Sequence, residues 1–169
     1  IEATLEARLY LNHANMSASC HSFESILQKW IQKIQPSVIL EWGPGRSTEI
    51  MCETCPGASI TSIESQKSFA EKASKALPSV RVVHAAIPEY GPSQYPCWPL
   101  LNAIDVKYDL IFVDGRQRVS CLLTSLKVLN KNGVVILHDA QRPHYKHGIE
   151  LFDKVDDDGD TVVLKIKQI

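Results

Sequence analysis

The stretch Val38-Ile39-Leu40-Glu41-Trp42-Gly43-Pro44-Gly45-Arg46-Ser47-Thr48-Glu49 constrains this chain more than any other. It reads as a short apolar strand, an acid, two glycines one residue apart, and hydroxyl residues opening a helix. Gly43 and Gly45 allow a sharp turn and let a ligand lie against the main chain where a Cβ would block it. The helix behind them presents unpaired N–H groups. The expectation is a nucleotide-type cofactor site. A dinucleotide fingerprint needs a third small residue three positions after the second glycine, and position 48 is threonine. Glu41 also sets a carboxylate near the turn, which favours a cationic ligand over a phosphate.

The 169 residues suffice for one domain with a substantial core. A net charge of −1 gives no nucleic-acid footprint, and no apolar run reaches membrane-spanning length. Cys20, Cys52, Cys55, Cys97 and Cys121 are an odd, scattered set, unlike a disulfide framework. A cytoplasmic setting is therefore expected, although a chain opening at Ile1 leaves room for a removed leader. Cys52 and Cys55 have no second Cys/His pair at ligand spacing and are read as structural.

Residues 1–35 are expected to form a helical segment packed on the core, with residues 36–169 as the cofactor-binding domain. Within the first part, residues 1–15 are mildly helical, and Phe23, Ile26, Leu27, Trp30, Ile31 and Ile34 predict a helix over 22–34 stopped by Pro36. Further strands are expected at 38–42, 59–63, 80–85, 108–113 and 133–137, closed by a hairpin of 150–155 and 161–167 across the acidic tract 156–160. The intervening helices are expected to bury Phe69, Ala70, Ala73 and Leu77, then Val119, Leu122, Leu123 and Leu126. Residues 86–107 break the rhythm, and there Tyr90, Tyr95 and Trp98 either cover a ligand or pin the loop.

Alternating strands and helices imply an α/β fold, a Rossmann-like three-layer sandwich around a mostly parallel sheet. In such sheets ligands gather at the carboxyl ends of strands. Glu41, Glu64, Asp114 and His138-Asp139 all fall there, which argues for one shared site. Glu64 lies about 20 residues after the glycine turn, where a carboxylate accepts hydrogen bonds from ribose hydroxyls.

The order of these motifs resembles the class I S-adenosylmethionine (SAM)-dependent methyltransferases. The resemblance implies a seven-stranded sheet with the last strand antiparallel. It implies SAM as cofactor, with Glu41, Gly43, Gly45 and Ser47 at its methionine end and Glu64-Ser65 at its ribose. Asp114 closes the fourth strand as an acid does in many members. The metal-dependent catechol-type O-methyltransferases are closer still; Asp114 and Asp139 match two of their Mg²⁺ ligands. Ala140 replaces the third ligand, however, and Gln117 replaces that branch's lysine base. Ser47 also stands where that branch has its last glycine.

These features imply methyl transfer to an oxygen of a small-molecule substrate. The acceptor's proton falls to His138, His144, Asp139 or a metal. Arg116, Arg118 and Arg142 are candidates to clamp an anionic substrate, with Arg118 expected at the surface. Three rivals remain: a nicotinamide-dependent oxidoreductase, an aminopropyl transferase, and a non-catalytic SAM-binding or scaffold module. Oligomeric state is not legible.

Overall fold

The computed structural model describes residues 23–168; the helical arm expected over residues 1–15 lies outside them, as does Cys20. Helix α1 spans Glu24–Ile34 and buries Ile26, Leu27, Trp30 and Ile31, as its apolar spacing predicts. Left-handed Gln35 (φ 47°) and then Pro36 end it. There follow β1 (Val38–Trp42), α2 (Arg46–Thr54), β2 (Ser59–Glu64), α3 (Lys67–Ala76) and β3 (Arg81–His84). The second half contains α4 (Trp98–Asn102), β4 (Tyr108–Val113), α5 (Arg118–Val128), β5 (Leu129–Leu137), α6 (Lys146–Ile149), β6 (Phe152–Asp157) and β7 (Val162–Ile166).

The sheet has seven strands in the order β3-β2-β1-β4-β5-β7-β6, with β7 antiparallel to both its neighbours. This is the expected α/β architecture. Successive side chains of a strand point to opposite faces, so the central strands feed two cores. Ile39, Leu110, Phe112, Val134 and Ile136 pack with α1 and α2 on one face. Leu40, Trp42, Ile111, Val113, Val135 and Leu137 pack with α5 on the other. Strands buried on both sides must read as continuous apolar runs, which is why β1, β4 and β5 were legible.

Two helices are turned differently from the sequence reading. Helix α3 buries Ala70 and Ala73, but Phe69 is 47% exposed. Helix α5 buries Arg118, Cys121, Leu122, Ser125 and Val128 and leaves Leu123 50% exposed. Its inner stripe is set by Arg118, whose ion pairs hold the start of the helix against the sheet. In the irregular segment before β4, Tyr95 and Trp98 are buried and Tyr90 is exposed. The Trp42 indole donates to the Tyr95 carbonyl at 3.0 Å, so Tyr95 and Trp98 pin the loop to the core. Among the described residues, no helix is long and apolar enough to cross a membrane.

Candidate functional site

Strand β1 pairs with β2 on one side and β4 on the other, which is where chain order reverses across the sheet. A cleft of about 620 Å³ opens there, over the carboxyl ends of all three strands. Gly43, Gly45, Ser47, Glu64, Ser65, Asp114 and Arg116 all line it, so one hollow gathers most of the residues singled out above.

The glycine turn is built from beneath. Glu41 is fully buried and accepts hydrogen bonds from Ser47 (2.5 Å), Thr48 (2.6 Å) and Ser62 (2.5 Å). Ser62 reaches it because the register sets these two residues side by side on β1 and β2. Thr48 also accepts the Gly45 N–H at 2.9 Å, tying the start of α2 to the turn. Thus the residue that breaks the dinucleotide pattern is itself a structural link. Glu41 does not line the cleft, which corrects the expectation of a charge set against the ligand. Burial pushes its carboxyl up to about 7, against the three hydroxyl donors, which lower it, and with a smaller rise from the Asp114 charge.

The two glycines differ. Gly43 has φ +93°, and a Cβ on it would meet the Gly115 backbone at 2.9 Å. Gly45 is extended (φ −178°), and a Cβ there would meet no protein atom within 4 Å. Gly45 is also among the residues that line the cleft. Gly115 is missing from the sequence reading, yet a Cβ on it would strike the Tyr95 hydroxyl at 1.9 Å. Its only sequence signal is its place after a strand-end acid.

At the end of β2, one oxygen of Glu64 accepts the Gln66 N–H (2.7 Å) and the Ser65 hydroxyl (3.1 Å). Its other oxygen has no partner among the described residues, so an oriented acceptor is left over the cleft. An open main-chain turn with such a carboxylate one strand away fits a ribose-bearing cofactor such as SAM.

The residues after β4 and β5 are arranged otherwise than expected. His138 does not line the cleft. It is buried, with Nδ1 3.0 Å from Asp114 and Nε2 3.1 Å from Asp160, which the β6–β7 hairpin delivers. Burial alone would lower its pKa, but the Asp114 hydrogen bond and charge, with Asp139 and Asp160, leave it raised. A ring engaged on both nitrogens is a structural bridge, unlike the proton acceptor for which His138 was one candidate. Asp139 also stands outside the lining, paired with Arg118 (3.1 Å) and Arg142 (2.7 Å). Arg118 is buried instead of surface-solvated.

Asp114, His138 and Asp139 bring potential ligand atoms within 4.8 Å of one another. The set does not fit Mg²⁺. That ion demands near-octahedral oxygen ligands and retained waters, whereas here the Arg118 guanidinium bridges the two acids and His138 presents nitrogen.

Arg116 is exposed on the cleft wall with no side-chain partner among the described residues. His144 also lines the cleft. A neighbouring hollow of about 500 Å³, walled by Ser93, Cys97 and Ser120, shares Gln117, Arg118, His144 and Tyr145 with the first.

No protein-family model and no curated protein matches the sequence. Solved structures do match. A methyltransferase-like protein from Silicibacter pomeroyi aligns at TM-score 0.74 and 22% identity, over 92% of this chain and 88% of that one. A Podospora anserina methyltransferase with bound S-adenosylhomocysteine (SAH) aligns at 0.71 and 16%, over 99% and 89%. An O-methyltransferase from Bacillus cereus in complex with SAH aligns at 0.68 and 15%, over 99% and 91%. At such identities the likeness is one of architecture, and it identifies this chain as having the class I methyltransferase fold.

Proposed function

We propose that the protein is a SAM-dependent methyltransferase acting on an oxygen of a small-molecule acceptor. The observation that carries this reading is Glu64, clamped through one oxygen and open through the other, facing the cleft above Gly45. Solved structures of the same architecture are methyltransferases with SAH bound. The methyl group arrives already activated on a sulfonium, so the protein's work is to align donor and acceptor and exclude water. Glu64 would accept the ribose hydroxyls, and the bare Gly45 backbone would let the ligand lie close. The acceptor would enter from the neighbouring hollow. Of the side-chain groups weighed for its proton, only His144 lines the cleft, and it lies at the border of the two hollows. Arg116, with its charge uncommitted, would hold an anionic part of the acceptor.

Calorimetric titration with SAM, SAH and NAD tests the cofactor class. SAM and SAH are expected to bind and NAD is not; tight NAD binding with no response to SAM would remove the proposal. Glu64→Ala is expected to weaken SAM binding by about 1–3 kcal/mol, through loss of charge-assisted hydrogen bonds. Unchanged affinity would return Glu64 to the surface. With SAM affinity intact, His144→Asn is expected to lower turnover; full activity would leave the proton to solvent.

A further inference from the structure

We propose that Arg118 is a fixed internal cation standing where a divalent ion would join the ends of β4 and β5, so that this site is organised by the chain and takes no metal. The inference is independent of which cofactor the cleft binds. Its basis is the completeness of the arrangement. Arginine carries five N–H donors in a planar fork, and here the guanidinium makes four hydrogen bonds and a further ion-pair contact. Nε donates to the Gly115 carbonyl at 2.9 Å. Nη1 donates to the His138 carbonyl at 2.5 Å and to Asp139 at 3.1 Å. Nη2 donates to the Asp114 carbonyl at 3.0 Å and is ion-paired with its carboxylate at 2.8 Å. Three of the acceptors are main-chain carbonyls, two of them belonging to the strand-end residues Asp114 and His138, so the guanidinium fixes backbone as well as side chains.

The backbone is shaped to bring it there. Gln117, the residue before Arg118, and Asp139, one of its partners, are both left-handed, at φ 49° and 55°. Non-glycine residues adopt that conformation uncommonly, aspartate more readily than glutamine. Charge points the same way. Asp114 and Asp139 face Arg118, and Asp139 faces Arg142 as well, so two carboxylates already meet two guanidinium groups. A divalent ion entering between them would have to expel a buried arginine from four hydrogen bonds and its ion pair with Asp114. One oxygen of each acid, Asp114 Oδ1 and Asp139 Oδ2, is already held by the arginine. Sequence spacing shows the two acids, but it gives no sign that an arginine four residues after the first closes the gap between them.

Mn²⁺ titration of the full chain followed by electron paramagnetic resonance tests this, with thermal melts in Mg²⁺ and in chelator. The wild type is expected to show no saturable site below about millimolar Mn²⁺ and the same melting midpoint in both buffers. A single site of about micromolar affinity that disappears in Asp139→Asn would overturn the proposal. Arg118→Met removes the cation and leaves the acids, and is expected to bind Mn²⁺ at least about tenfold more tightly than wild type. A variant that folds only when Mg²⁺ or Mn²⁺ is supplied supports the proposal equally. One that folds without metal and binds Mn²⁺ no better than wild type overturns it. If Arg118→Met does not fold under any condition, the wild-type and Asp139→Asn titrations still decide. None of these readouts involves SAM, so failure here is distinct from failure of the methyltransferase reading.

Discussion

Gly43→Ala is expected to cost about 3 kcal/mol of folding stability, whereas Gly45→Ala keeps wild-type stability and loses cofactor affinity. Gly43 holds φ +93°, and its missing Cβ would lie 2.9 Å from the Cα and N of Gly115. Neither neighbour is a flexible side chain that could swing away. The carboxyl ends of β1 and β4 approach so closely that backbone rests on backbone. An alanine must therefore force the two strand ends apart in addition to its own left-handed strain. Gly45 has an extended φ that any residue adopts, with open space where a Cβ would go. Its substitution touches only what enters the cleft. Urea melts should shift the Gly43→Ala midpoint strongly while leaving Gly45→Ala within about 0.5 kcal/mol of wild type. Calorimetry should show Gly45→Ala binding SAM about tenfold or more weakly, a loss of about 1.4 kcal/mol. Wild-type SAM affinity in Gly45→Ala would mean that the cofactor does not lie on this turn.

That contrast marks where the sequence could be read and where it could not. Two glycines in one motif look alike on paper, and only the contact with Gly115 shows that one serves the fold and the other the ligand. The sheet was legible because β1, β4 and β5 are buried on both faces and so announce themselves as apolar runs. Strand-end acids were legible because a parallel sheet sends its carboxyl ends to one side. Partners delivered by long-range pairing were not. His138 looked like a base beside Asp139 until the β6–β7 hairpin brought Asp160 against its second nitrogen. Arg118 looked like a solvated helix start because its acids lie at 114 and 139, on two different strand ends. The outward turn of Leu123 is a consequence of the same arginine, since burying position 118 rotates the inner stripe onto 121, 122 and 125. Helical periodicity gives the existence of a stripe; where a polar anchor competes, it does not give the stripe's phase.

Glu41 leads to the second large effect, a stability that falls as pH rises across the neutral range. Its carboxyl is raised from 4.5 to about 7 in the folded protein, mainly because burial disfavours the charge. Between those values the folded chain keeps a proton that the unfolded chain has released. The contribution is therefore fully present below about pH 4.5 and is lost as pH climbs through about 7, amounting to about 3 kcal/mol in all. His138, whose pKa is also raised, pulls in the same direction. Asp109, Asp156 and Asp157, whose values are lowered, act only in acid. The wild type alone would mix these contributions, and Glu41→Gln separates them. Glutamine has the same shape, can accept from two of the three hydroxyls and donate to the third, and does not titrate. The difference in urea midpoint between wild type and Glu41→Gln is thus expected to move steadily in the variant's favour from pH 4.5 to 8, with unchanged m-values. Parallel curves would show that the carboxyl keeps an ordinary pKa despite its burial. The three hydroxyl bonds would then outweigh desolvation, and Glu41 would be a permanent anion beneath the glycine turn.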